Sequence, residues 1–119
     1  VRLVGYYAIN PTQVVRDEVP SSLARGWPQA VPAWKLGKLA IHVDLRADQA
    51  AQWGRQLLRD ALETIVRVAD AGGGKVIVVD ADNSGLLGFY RRNGFKTTGV
   101  DGDLSLYMKV STARKAFLE

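Results

Sequence analysis

The stretch from residue 48 to residue 81 constrains this chain more than any other. Leu57, Leu58, Ala61, Leu62, Ile65, Val68 and Ala69 recur at three- and four-residue spacing, which puts them on one face of an amphipathic helix over residues 48–71. Gly72, Gly73 and Gly74 follow at once, and glycine readily takes the left-handed backbone that closes a helix. Residues 75–81 (KVIVVDA) are then a short, unbroken apolar run of the kind that makes a strand buried on both faces. A long one-faced helix feeding such a strand needs a sheet covered on both sides, so the expected class is α/β (α+β).

The flanks extend this unit. Residues 2–9 (RLVGYYAI) read as a strand ended by Asn10-Pro11, and Pro11, Pro20, Pro28 and Pro32 break the chain as far as residue 32. Ser21 and Ser22 can cap one short helix there, running to residue 26. Residues 34–43 (WKLGKLAIHV) form a second strand, with Leu36, Lys38, Ala40 and His42 on one face and Gly37, Leu39, Ile41 and Val43 on the other. A second helix spans residues 82–93, capped by Asp82, Asn83 or Ser84 and stopped by Gly94. Residues 96–99 and 104–110 read as a strand pair across a polar turn, and residues 111–119 leave room for a final helical turn. The expectation is a single domain over residues 1–119: a mixed central sheet with helices on both faces.

Composition narrows the chemistry. With no cysteine there is no disulfide frame, thiolate metal site or cysteine nucleophile, and a single histidine argues against a zinc site, so no metal is expected. The formal charge of +4 is a mild positive field, able to favour phosphates without identifying them. No apolar run is long enough to span a bilayer, and no signal-peptide pattern opens the chain, so a cytoplasmic location is expected. The chain starts on Val1 inside a strand-like run, which reads as a piece whose natural start lies upstream.

The segment from Asn83 to Phe95 (NSGLLGFYRRNGF) resembles the N-x-x-x-x-x-x-Y-x-x-x-G-F segment of the GNAT superfamily of N-acetyltransferases. The resemblance implies acetyl-CoA as the acetyl donor, with Asn83 beside the pantetheine arm and Tyr90 as the acid that protonates the departing CoA sulfur. Seven residues are nearly two helical turns, so Asn83 and Tyr90 fall on one side of the helix. A weak acid near a leaving thiolate is useful because collapse of the tetrahedral intermediate otherwise expels a charge into a partly dry site. Without the resemblance, Phe89, Tyr90 and Phe95 have a plainer reading as core aromatics around a glycine helix stop.

A second segment is similar to the family's central strand, pyrophosphate loop and following helix. Leu39, Ala40 and Ile41 lie on the strand, Gln49, Gln52, Trp53 and Gly54 in the loop, and Arg55 begins the helix. Phosphate binds at such places because helix-end amides point outward unpaired and the helix dipole adds positive potential. The family pattern is Q/R-x-x-G-x-G/A, and here Gln52 stands in place of the first glycine, so its Cβ obstructs close backbone approach. The resemblance also implies that the usual first strand and paired helices of the fold are lacking.

Residues 4–9 (VGYYAI), 31–41 (VPAWKLGKLAI) and 57–62 (LLRDAL) resemble, more narrowly, the acetyltransferase toxins of bacterial toxin–antitoxin pairs. That likeness implies acetylation of the α-amine of aminoacyl-tRNA, a block on translation and a ribbon-helix-helix antitoxin as partner; the assembly, a homodimer among the options, stays open. Two other readings stay open: a small-molecule amine acetyltransferase, and a decayed module that keeps the fold for self-association or partner binding without catalysis. His42 is a candidate base, although a packed or solvent-facing strand histidine accounts for it equally simply. Asp44, Asp80 and Asp82 read as strand-end caps or turn residues. Arg16, Arg25, Lys35, Lys38, Arg91 and Arg92 would make an RNA-facing patch if the irregular segment folds beside the second helix. Trp27 and Trp34 read as packing anchors.

Overall fold

The computed structural model describes residues 5–41, 47–81, 84–97 and 102–118. Strand β1 (Gly5–Val15) leads through a 3-10 turn (Arg16–Glu18) and the short helix α1 (Ser21–Ala24) into strand β2 (Ala30–Ile41). Helix α2 (Ala47–Gly72), strand β3 (Val76–Asp80) and helix α3 (Ser84–Arg92) follow, then strands β4 (Lys96–Thr97) and β5 (Ser105–Lys109) and helix α4 (Val110–Leu118). The strands form one sheet in the order β1-β2-β3-β5-β4, with β2 and β3 parallel and the other pairs antiparallel. This is the expected mixed sheet, and α2 supplies the crossover between its two parallel strands.

Three boundaries differ from the sequence reading. Asn10-Pro11 does not end β1, which pairs with β2 as far as Val15 opposite Ala30. β1 is the outer strand, where a residue without a backbone donor can turn its nitrogen away from the neighbouring strand. β2 likewise begins before Pro32, whose carbonyl accepts the Lys75 amide at 3.0 Å. The tail is a nine-residue helix rather than one turn, because Val110 and Ala113 are buried in the main core beside α2.

The alternation expected along residues 34–43 also breaks. Ile9 faces Leu36 but Ala8 faces Lys38, so the ladder skips Gly37, and the simple two-residue face assignment does not carry through this bulge.

Each face of the sheet carries its own core. On one, Leu36, Ile77, Val79, Leu106 and Met108 pack under α2 (Leu58, Ala61, Leu62, Ile65, Val66), with Tyr90, Phe95, Val110 and Ala113. On the other, Val31, Ala33, Val76, Val78 and Tyr107 lie under Val19, Leu23 and Ala24 of the segment around α1, with Trp27 packed against them. Strand β3 feeds both clusters by strict alternation, which is why its sequence is apolar without interruption. No helix among the described residues is long and apolar enough to cross a membrane.

The α2–β3 turn is built around Trp34. Its indole Nε1–H donates to the Gly73 carbonyl at 2.8 Å, and a Cβ at Gly74 (φ +110°) would stand 2.5 Å from that nitrogen. Only glycine both takes that backbone angle and lets the ring approach. Trp34 is thus the packing anchor that was expected.

Candidate active site

The central feature is a fork in the sheet. β2 pairs with β3 only from Ala33–Val76 to Leu36–Val79, and β3 ends at Asp80, whereas β2 runs on to Ile41 paired with β1 alone. Successive strand residues turn their N–H and C=O groups to opposite edges. Part of the backbone of residues 37–41 therefore faces the side where β3 has left, among the described residues. The Gly37 bulge sits one residue past the last β2–β3 pair and changes the strand's course at the mouth of the fork. Leu39, Ala40 and Ile41 lie on this free stretch.

The start of α2 forms a second wall. Gln49, Gln52, Trp53, Gly54 and Arg55 all fall inside the continuous helix Ala47–Gly72, so the loop that the resemblance implies is helical here. The amides with no partner inside the helix are those of the first turn, at Ala47, Asp48 and Gln49; the amides of residues 52–54 lie within the helical ladder. Arg55 is exposed and Gly54 is buried. A Cβ on Gly54 would meet the Phe89 ring at 3.7 Å, so this glycine marks the place where α2 packs on α3.

Helix α3 brings Tyr90 to the same region. Tyr90 is 6% exposed and belongs to the core cluster that holds Leu36, Leu58 and Val79. Its ring meets Phe89 edge-on at 5.3 Å and Phe95 at 5.6 Å, both favoured aromatic geometries. Helix α3 closes as its sequence predicts: the amides of Asn93 and Phe95 donate to the Tyr90 carbonyl, and Gly94 takes φ +98°. Tyr90 is thus fixed in the core between Phe89 and Phe95. Asn83 lies outside the described residues, as do His42, Asp44, Arg46 and Asp82.

Asp80 is not the simple cap or turn residue that was expected. One carboxylate oxygen accepts from Lys35 Nζ at 2.8 Å and the other from Ser105 Oγ at 2.7 Å. Partial burial pushes its pKa up, but the bonds from Lys35 and Ser105 outweigh that and hold it below the usual carboxylate value. No local sequence signal marks this cluster, since its members lie far apart in the chain and meet only through strand register. Nor does the sequence mark the bond between Tyr7 of β1 and Asp60 and Thr64 of α2, each 3.2 Å away.

The anticipated basic patch is divided. Arg16 donates to the Trp27 carbonyl and lines one surface hollow with Arg25, Arg91 lines another with Lys96, and Lys35 is engaged by Asp80. Among the described residues, no group of three or more His, Asp or Glu side chains is placed to hold a metal ion.

No family model matches the chain. Its sequence is 33% identical over 113 residues to a tRNA-acetylating toxin of Mycobacterium tuberculosis, an alignment that takes in 95% of this chain. The chain spans 66% of that protein, just under two thirds of its length. Among solved structures, a tyrosine-to-phenylalanine mutant of KacT superposes with a TM-score of 0.86 and 24% identity over 98% of this chain and 68% of that one. AtaT complexed with acetyl-methionyl-tRNAfMet gives 0.81 and 24%, over 96% of this chain and 66% of that one. An AtaT mutant with a tyrosine changed to phenylalanine, bound to acetyl-CoA and the C-terminus of the antitoxin AtaR, gives 0.77 and 22%, over 98% and 64%. The structural likenesses establish the fold, and the sequence identity runs through nearly the whole chain. The chain therefore has the fold of the KacT and AtaT toxins and is similar in sequence to a tRNA-acetylating toxin, the likeness that its resemblance to the GNAT superfamily of N-acetyltransferases implies.

Proposed function

We propose that residues 1–119 act as one N-acetyltransferase domain that moves the acetyl group of acetyl-CoA onto the α-amine of aminoacyl-tRNA in the cytoplasm, blocking translation. The observation that carries this reading is the fork between β2 and β3, supported by the identity with a tRNA-acetylating toxin. A pantetheine arm carries two amides and can join a strand edge as another strand would. The edge at Leu39, Ala40 and Ile41 offers it N–H and C=O partners. The first-turn amides of α2, ending at Gln49, face a pyrophosphate with the helix dipole behind them, and Arg55 adds a cation. Gln52, Trp53 and Gly54 form the next turn of that wall, and Asn83, outside the described residues, has the pantetheine contact that the family resemblance implies.

In the reaction the amine nitrogen forms a bond to the thioester carbonyl carbon, and strand amides at the fork stabilise the oxyanion. The carbon–sulfur bond then breaks, the sulfur leaves with the electron pair, and Tyr90 supplies its proton. The amine's surplus proton passes to water. The chain's contribution is mostly positioning. An antitoxin is the expected protein partner, in line with the AtaT complex with AtaR.

A second reading has its own support. Gln52 in place of glycine, and helical backbone through residues 52–54, favour a non-catalytic partner-binding module. Calorimetry with acetyl-CoA, followed by an acetyl-transfer assay on aminoacyl-tRNA, separates the two. Saturable binding with transfer supports the enzyme, whereas no binding at millimolar acetyl-CoA leaves the module.

A further inference from the structure

We infer that Lys35, Asp80 and Ser105 form a three-strand staple that sets where the acetyl-CoA fork opens, making Asp80 a positioning residue for acetyl-CoA. The inference rests on the reading of the fork as the acetyl-CoA site. Lys35 is on β2, Asp80 is the last residue of β3, and Ser105 is the first residue of β5. The two bonds of Asp80 tie β3 to each of its neighbours at the point where the β2–β3 ladder stops, one residue past the Leu36–Val79 pair. Strand register explains the geometry. Ser105 lies directly opposite Asp80, and Lys35 lies opposite Val78, two residues back on the same face.

Without the staple, the end of β3 would be held to β2 by the shared core and by a parallel ladder that contributes four residue pairs and then ends, with no side-chain tie at Asp80 itself. The Lys35 and Asp80 side chains are 43% and 49% exposed, a setting in which an ion pair adds little to global stability. Its consequence is therefore local. It holds the two strand ends at one separation at the apex and keeps the edge of residues 37–41 in a constant relation to β3. The depressed pKa of Asp80 agrees with a carboxylate ionised throughout the neutral range.

The test compares the 119-residue chain with Asp80→Ala, Lys35→Met and the charge swap Lys35→Asp/Asp80→Lys. Two quantities are read: KM and kcat for acetyl-CoA, and amide hydrogen exchange at residues 37–41 and 76–80. Either single change should raise KM about three- to tenfold, with kcat at saturation nearly unchanged, as expected when binding is lost equally from ground and transition states. Exchange at the fork should quicken, melting temperature should hardly move, and the swap should restore much of the affinity. If Asp80→Ala does not fold, Ser105→Ala removes a single hydroxyl and is read in the same way. Unchanged KM or unchanged exchange in the variants of a parent that binds acetyl-CoA overturns the staple alone. A parent that binds no acetyl-CoA overturns the acetyltransferase reading and the staple with it.

Discussion

Tyr90 combines two demands that rarely meet in one side chain. Its ring fills core space between Phe89 and Phe95, while in the proposed reaction its hydroxyl supplies the proton to the leaving thiolate. Tyr90→Phe keeps the ring, so the fold and acetyl-CoA affinity should stay close to the parent's while acetyl transfer slows by roughly 10²–10⁴-fold, the usual loss for a general acid. Single-turnover kinetics checks this, and undiminished transfer would return Tyr90 to the core alone. Two residues at the start of α2 call for opposite expectations. A Cβ at Gly54 meets the Phe89 ring at ordinary contact distance, so Gly54→Ala should stabilise the helix by up to about 1 kcal/mol, read as a higher melting temperature. Gln52→Gly should cost helix stability of about the same size, yet tighten acetyl-CoA binding by opening backbone approach to phosphate. Weaker binding in a titration would mean that Gln52 itself touches the cofactor or that the phosphates lie elsewhere.

Among the elements, the α2–β3 unit depends on a turn that its own residues cannot explain. The glycines stop the helix, but Trp34 from β2 fixes the geometry of the stop, since its ring occupies the space that a side chain at position 74 would need. Gly74→Ala should therefore cost about 2 kcal/mol through backbone strain, with the clash against the indole adding to it. Trp34→Phe, which removes the donor to the Gly73 carbonyl, should cost about 1 kcal/mol for the bond on top of lost packing. Chemical denaturation measures both. In the double mutant the two costs should fall short of their sum, because the smaller ring relieves part of the clash.

Over the whole molecule, charge sets two responses. Asp70 bonds to Arg114, linking α2 to α4, and that bond above all lowers its pKa; Asp80 is lowered as well. A carboxylate with a depressed folded-state pKa contributes stability above its unfolded value, which is lost as pH falls through the folded value. Stability should thus be level near neutrality and decline below about pH 4, with a shallower acid limb in Asp70→Asn than in the parent. The second response concerns the acceptor. Arg91 and Arg92 are exposed at the end of the helix that carries Tyr90. Changing both to Glu should abolish modification of aminoacyl-tRNA while sparing acetyl-CoA binding, and parent affinity for tRNA should fall steeply with salt. Salt-insensitive activity that survives the double change would refute the tRNA acceptor.

Much of this was legible in the chain itself, and for local reasons. The spacing of Leu58, Ala61, Leu62, Ile65 and Ala69 specifies α2 and most of the face it buries, although Val68 of the same pattern is exposed and Val66 is buried instead; the unbroken run at residues 76–79 specifies a strand covered on both sides. Gly94 closes α3 with φ +98°, placing Tyr90 and Phe95 on either side of a turn that the spacing already announced. The continuation of β1 through Pro11 is not written in the local sequence, because a proline costs a strand little only when that strand lies at an edge, and edges belong to the sheet. The bulge at Gly37, the divergence of β2 from β3 and the Lys35–Asp80–Ser105 cluster were invisible for the same reason. Each is a relation between strands far apart in sequence, set by register. Periodicity told this protein which faces to bury; only the packed sheet decided where two of its strands part.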